Sequence, residues 1–87
     1  MRGTYTGDSA RDVIRERIIT LARVRGIDAN ELSDSEVLAE AGILDSAGML
    51  ELIMWFETTF DVSIEQADLT LEKFGTVDAM VRYLQGA

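Results

Sequence analysis

Residues 42 to 60 read GILDSAGMLELIMWFETTF, and the spacing inside this stretch decides the fold. Met49, Leu52, Ile53, Phe56 and Phe60 recur at i, i+3, i+4, i+7 and i+11, the repeat that lines one stripe of a helix facing a core. Leu50 and Met54 lie off that stripe. At about 100° per residue they follow the i, i+4, i+8 line that begins at Ser46, so a helix over residues 45 to 60 carries an apolar strip outside its own core face. Glu51 and Glu57 flank the strip. An apolar strip rimmed by carboxylates has the make-up of a docking site. Trp55 falls at the opposite border and is expected to pack against another helix. Ahead of the helix, Gly42 supplies a turn, Ile43 and Leu44 two apolar anchors, and Asp45 and Ser46 an acid and a hydroxyl. Either of these last two is a good N-cap, and a helix start also suits a phosphate, because free N–H groups and the helix dipole favour negative charge there.

Working outward, Ala10, Ile14, Ile18, Leu21 and Val24 predict an amphipathic helix over residues 9 to 25. Ser9 with Asp12 gives it a capping-box-like start, and Gly26 a stop. The connection over residues 27 to 44 holds Ile27, Leu32, Val37, Leu38, Ile43 and Leu44 without a single period, which predicts a loop packed by its own side chains. Residues 35 to 41 are expected to form one helical turn. Beyond Asp61, Val62-Ser63-Ile64 alternates without a partner strand and reads as extended loop. A short helical turn over residues 69 to 74 ends at Gly75. Thr76 then caps a last helix with a Val77, Met80, Val81 and Leu84 stripe, Arg82 in its final turn and Gly86 beyond. The result is three main helices around one core with a long first loop. Residues 1 to 7 read as a disordered tail or cloning remnant, and residues 8 to 87 as one domain.

Composition narrows the chemistry. The 87 residues include sixteen acidic and eight basic side chains, with no histidine, cysteine or proline. That inventory excludes disulfides, thiolate or imidazole zinc sites, Cys/His dyads and the Ser-His-Asp triad. A hydrophobic fraction of 47% places the net charge of −8 on a folded domain. Six arginines lie between Arg2 and Arg25, whereas residues 26 to 72 hold twelve carboxylates and no basic residue. Such a stretch repels phosphate backbones and anionic lipid and steers toward basic protein surfaces, so neither nucleic acid nor membrane is an expected partner. No signal peptide or spanning segment is visible, and a cytoplasmic, monomeric protein is expected.

These residues resemble the acyl and peptidyl carrier proteins, which carry a 4'-phosphopantetheine arm on the serine of an Asp-Ser motif at the start of the second of four helices. The likeness runs from residue 9 to the string TVDAMVRYL at residues 76 to 84. It implies an all-α, four-helix carrier-protein bundle of three main helices plus one short helix, and a non-catalytic protein. By the same resemblance Ser46 is the attachment site for an arm taken from coenzyme A, and Asp45 assists the phosphopantetheinyl transferase through the metal ion of that enzyme. Leu50, Glu51, Met54 and Glu57 match enzyme-contacting positions. The implied partners are that transferase, a loading ligase or acyltransferase, and downstream synthases or transferases with basic docking surfaces. Residues 67 to 84, ADLTLEKFGTVDAMVRYL, look most like freestanding carriers serving adenylating ligases or specialised-metabolite pathways, which implies polyketide or nonribosomal-peptide-like biosynthesis. Fatty acyl, polyketide, amino acid and hydroxy acid carriers share these features.

The chain departs from the family pattern at Ala47, Gly48, Trp55 and Thr58. Gly48 is expected to cost about 1 kcal/mol relative to alanine and to loosen the first turns. Docking should be weak, fast and salt-sensitive, since a carrier must leave between steps. Three other classes compete. A helical acidic interaction module without a prosthetic group fits the charge. A calcium module would use Asp61, Ser63, Glu65 and Glu72, but Gln66 replaces the turn glycine and Asp68 an apolar position. A paired-carboxylate hydrolase lacks a pocket.

Overall fold

Ala10, Ile14, Ile18 and Leu21 are buried along one side of α1 (Gly7–Val24) in a computed structural model that describes residues 7–86. The helix starts two residues before the Ser9 start expected from the capping-box pattern, so Ser9 lies inside it. The tail expected over residues 1 to 7 falls, for residues 1 to 6, outside the described residues. At the other end the expected stripe breaks down: Val24 is 79% exposed. The line through Ile14, Ile18 and Leu21 continues at i+4 to Arg25, leaving Val24 about 80 to 100° around the helix from it. Ala22, fully buried, completes the apolar face instead. The chain then leaves the helix through N–H bonds from Arg25 and Ile27 to Ala22 O and from Gly26 to Arg23 O.

The long connection is packed as expected. Ala29, Leu32, Leu38, Ile43 and Leu44 are all buried, and Ile27 packs against the same core. The Leu38 N–H reaches Gly75 O at 2.9 Å and the Ile43 N–H reaches Leu38 O at 3.0 Å, so the loop is held by the far end of the chain and by itself. Within residues 35 to 41 a single i+4 bond, Ala41 N–H to Val37 O, forms the helical turn. No helix is sustained there.

α2 (Ser46–Phe60) buries Leu52, Phe56 and Phe60, while Met49 and Ile53 line the edges of that stripe. It ends where Asp61 adopts the left-handed conformation at φ 54° and donates its N–H to Glu57 O. Residues 62 to 65 form no regular element, with Glu65 in extended backbone, and a 3-10 turn at Gln66–Asp68 follows that the sequence pattern does not signal. α3 (Leu71–Phe74) is capped by Thr70, and α4 (Val77–Leu84) by Thr76, whose hydroxyl accepts the Ala79 N–H at 3.0 Å. Both α1 and α3 pack on α4, and α1 packs on α2. Aromatic rings close the centre: Phe56 lies 5.0 Å from Phe60, 5.4 Å from Phe74 and 6.4 Å from Tyr83 by ring centroids. Trp55 packs against α1 as expected, with the Arg17 guanidinium 5.2 Å above its ring. The described residues therefore form an all-α bundle of three main helices and one short one. None of these helices is long and apolar enough to cross a membrane.

Part of the carboxylate-rich stretch is spent on holding this fold together. Asp34, in the long connection, accepts Arg11 at 2.8 Å and Arg15 at 2.6 Å, while Arg11 also reaches Asp78 of α4. The Asp78 N–H adds a bond to Asp34 O at 3.0 Å. Burial pushes the Asp34 carboxyl up, but hydrogen bonds and charge from Arg15 and Arg11 outweigh it and hold the group below the ordinary carboxylate value. A carboxyl with a depressed folded pKa stabilises the fold above the unfolded value of about 3.9 and loses that contribution as pH falls through the folded value. Asp34→Asn should therefore cost about 1–2 kcal/mol at neutral pH, the range for a partly buried, charge-assisted network. Melting followed by Trp55 fluorescence should show a drop of roughly 4–8 °C per kcal/mol, shrinking toward zero in strong acid. An unchanged neutral-pH midpoint would remove this role for Asp34.

Candidate functional site

Ile43 and Leu44 are 7% and 2% exposed, and these two buried anchors pin the chain just before α2. Gly42 turns the chain ahead of them at φ 73°, a conformation that favours glycine. Asp45 follows in extended backbone, and its Oδ1 accepts the Gly48 N–H at 2.7 Å. Asp45 is therefore the cap that the sequence left open between two residues. The Gly48 N–H first, and the Arg25 guanidinium after it, hold the Asp45 carboxyl below its ordinary value, so it stays ionised at the helix end where negative charge is favoured.

Because Asp45 does the capping, Ser46 is released from that task. It stands as the first residue of α2, exposed, and among the described residues no group is hydrogen-bonded to its hydroxyl. No wall encloses it. A serine so placed fits a covalently attached phosphodiester: the oxygen is accessible, and the start of a helix favours negative charge.

The apolar strip is where the pattern put it. Leu50 and Met54 are each 58% exposed, one and two turns beyond Ser46. The two flanking carboxylates are less free than their positions suggest. Glu57 is half-buried, and its Oε2 accepts the Ile64 N–H at 2.9 Å, tying the loop after α2 back to the helix. Glu51 is exposed but paired, its Oε2 lying 3.0 Å from Arg25 Nη2.

Arg25 is the residue at this site that the sequence reading missed. Its Nε also lies 3.5 Å from Asp45 Oδ1, and its Nη1 donates to Leu21 O at 3.1 Å. The available signal was its position on the line of Ile14, Ile18 and Leu21, which directs a long side chain off the end of α1 toward α2. Gly48 makes room for it. A Cβ at position 48 would sit 3.3 Å from the Arg25 guanidinium carbon, and 3.2 Å from both Asp45 Oδ1 and Leu44 Cδ2. The glycine expected to loosen the first turns is buried under this arginine, so the lost propensity accompanies a close approach between α1 and α2.

The residues weighed for calcium are dispersed: Asp61 ends α2, Glu65 precedes the 3-10 turn and Glu72 lies in α3. Among the described residues no three acidic side chains come together as a metal site.

Comparison with known proteins agrees with the geometry. Residues 16–84 match the family described as the phosphopantetheine attachment site. Over 70 residues the chain is 34% identical to the D-alanyl carrier protein of Streptococcus pyogenes serotype M5 (strain Manfredo), covering 79% of this chain and 87% of that protein. The D-alanyl carrier proteins of serotype M49 (strain NZ131) and serotype M1 match with the same identity and coverage. No solved structure matches. With residues 16–84 matching that family and 34% identity over most of both chains, the chain belongs to the phosphopantetheine-binding carrier proteins, non-catalytic proteins that a phosphopantetheinyl transferase loads with 4'-phosphopantetheine.

Proposed function

We propose that Ser46 takes the arm, and that the loaded carrier is freestanding and presents an aminoacyl group, activated by an adenylating ligase, to a downstream transferase. The observation that carries the first half is the division of labour between Asp45, which caps α2, and Ser46, whose hydroxyl is left exposed and unbonded. In the transfer the Ser46 oxygen forms a bond to the phosphorus next to pantetheine in coenzyme A. The phosphoanhydride bond breaks, the adenosine bisphosphate leaves, and the hydroxyl proton passes to a base of the transferase. Once bound, the arm supplies a thiol that holds an acyl group as a thioester.

The chain's own residues supply position and recognition. The dipole of α2 favours the new negative charge, Ile43 and Leu44 fix the turn that presents it, and tethering raises the cargo's effective concentration at a docked enzyme. Leu50 and Met54, with Glu51 and Glu57 beside them, form the docking face. Among the cargoes the sequence leaves open, an aminoacyl group is favoured over a polyketide or fatty acyl one, because the relatives at 34% identity are named D-alanyl carrier proteins. The test is to incubate the pantetheinylated protein with an adenylating ligase, ATP and D-alanine. A mass gain that hydroxylamine removes is the expected result. Loading by malonyl or long-chain acyl transferases alone would instead return the chain to polyketide or fatty acid chemistry.

A further inference from the structure

We infer that Arg25 is an internal counter-ion that masks the acidic side of the docking face and so sets which enzymes read it; this rests on Ser46 as the attachment site and on the α2 face as the docking surface. Three observations converge. The guanidinium lies within ion-pair distance of both Asp45 and Glu51, the carboxylates one residue before and five residues after Ser46. Its side chain is 21% exposed, against 68% for Asp45 and 55% for Glu51, so the cation sits beneath acids that face solvent. It is also anchored from behind by its bond to Leu21 O and seated close against Gly48, where a Cβ would lie 3.3 Å from the guanidinium carbon.

The consequence follows from the field that an approaching enzyme meets. Beyond the few ångströms of direct contact, the potential at this flank is set by the sum of charges within about a Debye length, roughly 8–10 Å. Asp45 and Glu51 together with Arg25 present one net negative charge where the sequence shows two. A basic side chain of a partner must also compete with a guanidinium already 3.0 Å from Glu51. Recognition therefore leans on the apolar Leu50 and Met54 strip, and an enzyme that relies on long-range attraction to this carboxylate pair is disfavoured.

A double-mutant cycle on the full-length apo-protein tests this, with a broad-specificity phosphopantetheinyl transferase and coenzyme A as the probe. Dissociation constants and kcat/KM would be measured for the wild type, Arg25→Gln, Glu51→Gln and the double variant over a salt series. Masking predicts that Glu51→Gln weakens affinity about 5- to 10-fold in the Arg25→Gln background and by a several-fold smaller factor in the wild type, where its charge is already paired. It also predicts that Arg25→Gln steepens the salt dependence. A purely structural arginine would give equal Glu51→Gln effects in both backgrounds and an unchanged salt slope, and that result would overturn the inference. Circular dichroism of each variant separates lost masking from lost fold. Should Arg25→Gln unfold, Arg25→Lys replaces it: a lysine lacks the forked geometry that spans two carboxylates, so partial unmasking is expected and a wild-type cycle would count against the proposal. No modification of the wild type at all would instead sink the Ser46 reading on which the inference stands.

Discussion

Replacing Phe56 with alanine is expected to cost about 3–5 kcal/mol, the range for truncating a fully buried aromatic side chain. Phe56 is 0% exposed and is the ring on which three elements meet: Phe60 of α2, Phe74 of α3 and Tyr83 of α4. Removing it loses the transfer free energy of the ring and its ring contacts with those neighbours, and leaves a void that the short α3 cannot refill without moving. A domain of this size has roughly 4–13 kcal/mol in total at 0.05–0.15 kcal/mol per residue, so the variant should sit near the edge of folding. Urea denaturation followed by Trp55 fluorescence should show the midpoint falling by at least about a quarter. Phe56→Leu should recover much of the loss. A Phe56→Ala midpoint close to wild type would mean that the aromatic centre is not what joins α2 to the C-terminal half.

Met54→Glu is expected to have the largest effect on function among changes that spare the attachment residue. Met54 is 58% exposed, so the fold loses little when it changes. On a docking face, however, a charge placed where a partner buries an apolar anchor must be desolvated without a counter-charge. That should raise the apparent KM of the phosphopantetheinyl transferase by about tenfold or more, the scale of a central interface residue. The melting temperature should stay within a few degrees of wild type. Leu50→Glu should behave alike, because it lies on the same line from Ser46. Glu57→Lys is less clean, since the Glu57 carboxylate also holds the Ile64 N–H and its loss alters the loop after α2. Unchanged kinetics in both Met54→Glu and Leu50→Glu would remove the docking role from this face.

Most of the helical frame was legible because its signals are local and periodic. The α2 stripe, the Thr76 cap, the packing of Trp55 against α1 and the apolar filling of the long connection all follow from spacing and residue type. What was not legible depends on how elements approach one another. Val24 satisfies a helical repeat, yet it lies too far around α1 from the line that is buried, and it is exposed. The 3-10 turn at Gln66–Asp68 has no periodic signature; it is held by bonds to residues downstream, Lys73 Nζ and Tyr83 Oη both donating to the Asp68 carboxylate. At the site, the Asp-Ser pair and the strip beyond it could be read from sequence. The choice between two adjacent caps needed a hydrogen bond to decide it.

Charge shows the same division. The sequence separates an arginine-rich first helix from a carboxylate-only stretch, which suggests a uniformly acidic docking region. The folded chain brings the two together. Arg11 and Arg15 take Asp34, and Arg25 takes Asp45 and Glu51, so pairs far apart along the chain cancel part of the charge that composition assigns to the surface. The acidity near Ser46 is thus smaller and more local than a count of residues implies.

The central claim is that this chain is a carrier whose arm sits on Ser46. Intact-mass measurement after incubation with coenzyme A and a broad-specificity phosphopantetheinyl transferase tests it most directly, run in parallel on wild type and Ser46→Ala. Ser46 is exposed and makes no side-chain hydrogen bond among the described residues, so the alanine variant should fold and melt as the wild type does. The account predicts a gain of one phosphopantetheinyl group on the wild type and none on Ser46→Ala. No gain on the folded wild type, or the same gain on both proteins, would contradict it.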